Sequence, residues 1–473
     1  MESKPEFKKG MNLIDSTAMV VGSMIGSGIF IVSADMSRHL GSGGWLLIAW
    51  GITAIMTVSA ALSYGELAAM FPKAGGQYVY LRESYNPFVG FLYGWTFFAV
   101  IQTGTIAAVA VAFGSYMGVI FPWFSQTNIL LDIGFIKFNT VQLLAIAMII
   151  ALTLINLRGI SLGKLIQNIF TLTKVAALLV LIIVGWFFFN DPIVNNLNSK
   201  TFWEASTLQN NILTPISGLA VIAALGMAMT GSVFSADAWN NITFTAGEVK
   251  NPKRNIPLSL FFGTLLVMIL YMLANLVYIN VLPVHGESAA ATAFERGLQF
   301  ATSDRVGTAV MSRIFSSSEI VMALLIIVST FGCNNGLVIS GARVYYAMAN
   351  DKLFFKGAAT LNQNGVPANS LQMQCLWACI LCLSGTYGNL LDYIVIAVLI
   401  FYILTLIGIF ILRRTKPEYE RPYRAFGFPV LPFIYIILAA MMIIVLLINK
   451  PDYTWPGVLI VALGAPIYIF IKK

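Results

Sequence analysis

Charge is scarce in this sequence. Only 10% of its 473 residues are Asp, Glu, Lys or Arg, against 58% hydrophobic. A soluble core cannot hide that much apolar surface, so a soluble globular protein is excluded. Histidine is nearly missing: His39 and His285 are the two, both at loop or interface positions. Neither belongs to a metal-ligand spacing or an acid–base cluster, so the chain reads as neither an enzyme nor a metal or cofactor protein. The four cysteines, Cys333, Cys375, Cys379 and Cys382, all fall inside apolar runs, where no loop disulfide forms. Spacings of four and three put the last three on one helix face. Without a histidine they read as small packing residues of a membrane helix.

What the sequence has instead is length in apolar runs. A span needs about 20 mostly apolar residues, and about twelve such stretches are centred near residues 27, 56, 100, 148, 178, 230, 268, 332, 376, 400, 438 and 462. The first follows MESKPEFKKG and has no small-residue cleavage site after it, so it is a retained span. The expectation is an all-α, polytopic membrane protein forming one domain over 1–473, with lipid around it.

The net charge of +8 suggests nucleic acid until its distribution is read. With twelve spans and cytoplasmic termini, twenty Lys and Arg fall on the inner side, from Lys4, Lys8 and Lys9 to Lys472 and Lys473, and seven on the outer. That asymmetry obeys the positive-inside rule, and no nucleic-acid partner is expected. Lys174 is left inside a span.

Two spans are interrupted. The first carries GSMIGSGIF at 22–30, with glycines that cost a helix roughly 1 kcal/mol each, and the sixth carries FSADAWNN at 234–241. Broken helices five spans apart, and therefore oppositely oriented, are what an inverted five-helix repeat produces. The repeats would cover approximately 11–190 and 213–412, with two appended helices over 430–471. The longest outer connection, 285–317, spaces Phe294, Leu298, Val306, Val310 and Ile314 as short amphipathic helices lying over that face, a lid element.

Unwound backbone at membrane depth needs a cavity or a partner, since lipid satisfies no N–H or C=O. In the first break the amides of Ile25, Gly26, Ser27 and Gly28 would face an anion such as a carboxylate. Gly22 and Gly26 also have the spacing of a helix-packing pair. In the second, carbonyls near Phe234, Ser235 and Asp237 would accept from an ammonium, with the Phe234 ring as a cover. A carboxylate on one side and an ammonium on the other describe an α-amino acid. Asp237 either faces the pocket or caps the second half of span six near Asn240 and Asn241. Lys174 either snorkels to the interface or sends its ammonium to carbonyls of the first break. An occluding site between two breaks describes a carrier. A channel would favour rings of like charge or a continuous polar lining.

GSMIGSGIF, SYGELAAMFPKAGGQYVYL (63–81), FSADAWNNITFTAGEVKNPKRNIP (234–257), FGCNNGLVISGARVYYAMA (331–349) and RPYRAFGFPVLP (421–432) together resemble the L-amino acid transporter branch of the amino acid–polyamine–organocation superfamily. The resemblance runs over essentially the whole chain. It implies the LeuT-type fold, a 5+5 inverted repeat with broken helices 1 and 6, carrying out secondary transport of L-amino acids by alternating access. The substrates implied are neutral and small to medium, moved without sodium by exchange or facilitation. A proton-coupled symporter and a cationic amino acid or polyamine antiporter are the alternatives. It further implies carboxylate binding at Ile25, Gly26, Ser27 and Gly28, amine binding through carbonyls at Phe234, Ser235 and Asp237, and Phe234 as gate. Lys174 falls where the family carries the lysine associated with sodium independence, and Ala236, Asn240 and Asn335 are further pocket candidates. Two departures matter. Ala236, Asp237 and Ala238 stand where glycine is frequent, and the loop at 122–140 lacks the cysteine through which eukaryotic members bind a glycoprotein heavy chain. With the short termini, this points to a bacterial inner-membrane protein without a disulfide-linked heavy chain.

Overall fold

Asn12 starts the first helix with a reciprocal cap: its side chain accepts the Asp15 N–H while the Asp15 carboxylate accepts the Asn12 N–H, satisfying two donors that a helix start leaves free. The same device, with Asn139 and Gln142, opens the fourth span. The computed structural model describes residues 7–132, 137–209, 212–315, 318–383 and 387–472. Lys4 and Lys473 of the charge count lie outside them, as do residues 316 and 317 at the end of the lid loop.

Among the described residues, nine helical segments are long and apolar enough to cross a membrane, and two shorter apolar helices, Thr140–Asn156 and Leu219–Ser235, join them. The helix Ala368–Leu381, shorter and less apolar, lies where the ninth expected span falls, and the twelve are numbered here in chain order. Span 1 comes in two halves, Leu13–Met24 and Val32–Leu40, joined through a single tight turn at Gly28–Phe30. Span 2 is Gly43–Met70, span 3 Pro87–Ile120, span 5 Ile160–Phe187 and span 7 Pro252–Val281. Span 8 is Ser318–Asn350, span 10 Tyr387–Thr415, span 11 Val430–Asn449 and span 12 Pro451–Lys472. Span 6 is split into Leu219–Ser235 and Asn241–Phe244. This is the all-helical membrane architecture expected, with the two breaks where the sequence put them.

Short antiparallel hairpins, Ile129–Asp132 with Lys137–Asn139 and Ser206–Gln209 with Ile212–Pro215, decorate the face opposite the termini. The lid loop lies on that face too. It holds helices Ala293–Arg296 and Val306–Ile314; Leu298, Val306 and Val310 are fully buried beneath it, while Phe294 and Ile314 are half-buried. A side-chain carbon added at Gly307 would stand 2.8 Å from the Phe30 ring, so the lid helix sits directly on the start of the second half of span 1.

The face carrying the termini is clasped by buried charge. Glu66 takes Arg413 at 2.6 Å, Arg421 at 3.4 Å and the Ala425 N–H at 2.7 Å. Glu248 takes Arg343 at 2.9 Å, with both side chains buried. Glu66–Arg421 and Glu248–Arg343 each join two of the quoted sequence motifs. The Gly10 and Met11 N–H groups bond the Glu248 carbonyl, and Lys164 bonds the Gly10 carbonyl and Asp15. This end of span 1 is therefore fastened to span 5 and, through Glu248 and Arg343, to span 8.

Candidate functional site

The first break begins as a fault in carbonyl pairing. Ile25 still donates to the Val21 carbonyl at 3.0 Å, but its ψ of 95° ends the helix. Side chains then serve five consecutive carbonyls. Lys174 Nζ donates to Gly22 at 2.7 Å and Ile25 at 2.8 Å, Cys333 Sγ to Ser23 at 3.0 Å, and Tyr271 Oη to Met24 at 3.0 Å. Ser329 Oγ lies 3.2 Å from the Ile25 carbonyl and 3.4 Å from that of Gly26. Spans 5, 7 and 8 thus provide the donors that lipid cannot. On the other side of the break, among the described residues, the Gly26 and Gly28 N–H groups bond no backbone carbonyl.

Lys174 does not snorkel. It is fully buried, and among the described residues no carboxylate pairs with it. Its charge rests on the carbonyl end of the first half-helix, where the helix dipole favours a cation.

Each glycine of the break faces a different neighbour. Added carbons at Gly22, Gly26 and Gly28 would stand 2.2 Å from Gln167 and Thr171, 3.0 Å from Cys333 Sγ, and 2.2 Å from Ser235 Oγ. Gly22 is therefore a packing glycine against span 5, as the packing alternative requires. At Gly28 the two broken spans touch.

The second break differs from expectation in detail. After Ser235, Ala236 bonds back to Ser232 at 2.9 Å, Asp237 N–H to the Phe234 carbonyl at 3.2 Å, and Ala238 takes a φ of 65°. That region favours glycine, and an alanine there costs about 1 kcal/mol. The carbonyls expected to be free are partly engaged: Phe234 accepts from Asp237, and Ser235 accepts from Tyr271 Oη at 3.3 Å. Each carbonyl keeps a second lone pair. The Ser235 hydroxyl bonds the Gly231 carbonyl at 2.8 Å and is not offered to a ligand. Ala236 is buried at the helix end, and the Phe234 ring is buried one turn beyond Thr230 and Gly231.

Asp237 does not cap the second half of span 6. Its carboxylate accepts from Tyr402 Oη at 2.5 Å, and Asn240, the residue preceding that half-helix, makes no side-chain cap and donates instead to Gln77 at 3.1 Å. Asp237 and Asn240 line a cavity of about 20 Å³ of mixed lining, with Gln77, Gln102, Thr105 and Asn241 among aromatic and aliphatic side chains, room for about one water. The Asn241 amide nitrogen is buried there without an acceptor. Asn335 is not brought to the breaks. It accepts from Asn156 at 2.9 Å and donates to the Gly163 carbonyl and Gln167 at 3.0 and 3.1 Å, so its side chain is fully committed to spans 4 and 5.

Sequence reasoning missed Tyr271, Ser329 and Tyr402 altogether and gave Cys333 no role. For Tyr271 a signal was present. Tyr271, Asn275 and Tyr278 recur at helical spacing in an apolar span, and all three are fully buried. They meet the Met24 carbonyl, the Ser33 hydroxyl and the Ile29 carbonyl in turn. One face of span 7 therefore holds span 1 along both sides of its break.

A family model described as amino acid permease matches residues 11–471. The b(0,+)-type amino acid transporter 1 of Mus musculus is 26% identical over 465 residues, 98% of this chain and 88% of the mouse protein. That of Homo sapiens is 26% identical over 466 residues, with the same coverage of 98% and 88%. The large neutral amino acids transporter small subunit 2 of Mus musculus is 28% identical over 463 residues, covering 98% of this chain and 80% of the relative.

Proposed function

Because the chain belongs to the amino acid permease family, we propose that it moves neutral L-amino acids of small to medium size, without sodium, by exchange or facilitated diffusion. The carboxylate meets the amides of Gly26, Ser27 and Gly28, the Ile25 N–H expected beside them being held by the Val21 carbonyl, and the amine meets the remaining lone pairs of the Phe234 and Ser235 carbonyls near Asp237. Phe234 closes the site from the lid side. Repeats of roughly 11–190 and 213–412 rock against each other around it, in a bacterial inner membrane with both termini in the cytoplasm.

One observation carries this reading. Lys174, rather than a bound cation, takes the Gly22 and Ile25 carbonyls, leaving the opposite, amide side of the break for an anion. The relatives named for neutral amino acids support the substrate class. The basic loops on the terminal side support the orientation. The cysteine-free loop at 122–140 supports a carrier that works without a disulfide-linked heavy chain.

The test is a ligand screen on the purified protein in detergent. Neutral L-amino acids at 100 times their dissociation constant should stabilise it by about 2.7 kcal/mol, read as a rise in Tm. Their methyl esters should leave Tm unchanged. Equal stabilisation by acid and ester would overturn the carboxylate assignment.

A further inference from the structure

On the face opposite the termini, a cavity of about 880 Å³ runs from Ile31, Val32, Thr230 and Gly231 at its floor to the lid loop and the junction of spans 11 and 12 at its mouth. Its wall is charged. Arg38 is committed to Asp304 at 2.7 Å, Asp35 at 3.3 Å and the Gln299 carbonyl at 2.8 Å. Arg305, in a wall that also carries Lys450 and Asp452, differs from Arg38. Its Nη2 donates to the Ser115 carbonyl at 2.9 Å, yet its Nε is buried without an acceptor. Among the described residues no carboxylate stands within ion-pair distance of it. Glu319 acts on it only through space, and the Tyr116 ring lies 5.8 Å away. Burial lowers the pKa of this guanidinium, as partial loss of hydration does to a cation with no close anion to compensate.

The position of Arg305 is held firmly. Ser303 and Asp304 both take positive φ, 53° and 59°, a strain that persists only where surrounding contacts fix the chain. Here those contacts are the Arg38–Asp304 pair on one side and the lid helix seated on Phe30 on the other.

We propose that Arg305 is an outer carboxylate-binding station, where an amino acid entering the cavity docks its carboxylate on the guanidinium before passing Phe234 to the amides of the first break. The inference rests on amino acids being the cargo. A planar guanidinium with an unused donor matches a carboxylate in geometry as well as charge, and a fixed cation in a confined mouth raises the local concentration of an anionic group.

The experiment measures half-saturating concentrations from each side in proteoliposomes of defined orientation. Arg305→Gln should raise KM on the lid side about tenfold, with kcat and the KM on the terminal side unchanged. Arg305→Lys, which keeps charge but loses the fork, should fall between parent and Gln and carries the test if the Gln variant does not insert. An unchanged lid-side KM, or equal shifts on both sides, overturns the station. A parent that carries no amino acid overturns the cargo reading, and the station with it.

Discussion

The Tyr402 hydroxyl donates to the Asp237 carboxylate across 2.5 Å, tying span 10 to the residue at which span 6 leaves its helical path. Trp239 packs beside this bond, 5.3 Å from the Tyr402 ring and 4.8 Å from that of Tyr64. The second break is therefore braced by an aromatic group and an ionisable one together.

If that bond holds the break, removing either partner should have nearly the same effect as removing both. In a double-mutant cycle of Asp237→Asn and Tyr402→Phe, thermal unfolding should give a coupling of about 1.5–3 kcal/mol. Additivity within about 0.5 kcal/mol would show that the bond contributes little. Asp237→Asn should also leave the pH profile of neutral amino acid uptake unchanged. Loss of a pH dependence present in the parent would instead favour proton coupling through this carboxylate.

Removing the Lys174 ammonium strands the Gly22 carbonyl and leaves Ile25 with Ser329 as its remaining side-chain donor. At about 1–3 kcal/mol per unsatisfied buried group, Lys174→Met should cut uptake at least tenfold while the protein still inserts. Size-exclusion profiles and uptake measured on the same preparation separate folding from transport. Wild-type turnover by this variant would remove the cation-substituting role.

At Gly28 and Ser235 the two broken spans are in contact. Gly28→Ala would drive a carbon to within 2.2 Å of Ser235 Oγ and 2.8 Å of its Cβ, so transport should be lost. Ser235→Gly in the same chain removes both obstacles and should restore part of it. A second-site change that restores nothing would show that the damage arises elsewhere in the break.

The spans and both breaks were legible in the sequence because the signals are local: apolar runs of membrane length, and glycine and serine where a helix should be continuous. The pairing of the motifs was not. Glu66 meets Arg421 and Glu248 meets Arg343 across gaps of hundreds or tens of residues, and no periodicity encodes that. The first break was legible on its backbone side and obscure on its donor side. Lys174 stood out because a charge in a span is costly, whereas Ser329 and Tyr402 look like ordinary membrane residues until the carbonyl or carboxylate they meet is known. Asn335 misled for the same reason, since a buried asparagine near a break is indistinguishable from one bonded to spans 4 and 5.

Tyr271 lies between the breaks, 3.0 Å from the Met24 carbonyl and 3.3 Å from that of Ser235. Its single proton serves one of them at a time. Tyr271→Phe should therefore cost about 1 kcal/mol of stability and slow exchange more than it weakens ligand binding, which paired thermal-shift titrations and uptake rates would reveal. Equal losses in both would make Tyr271 a binding residue rather than a link between the spans.

The central claim is a sodium-independent amino acid carrier with a lysine in place of a cation, and counterflow tests it most directly. Proteoliposomes preloaded with an unlabelled neutral L-amino acid, in choline medium free of sodium, should take up external label several-fold faster than empty ones. Uptake that requires sodium, or that ignores the internal amino acid, would contradict the account.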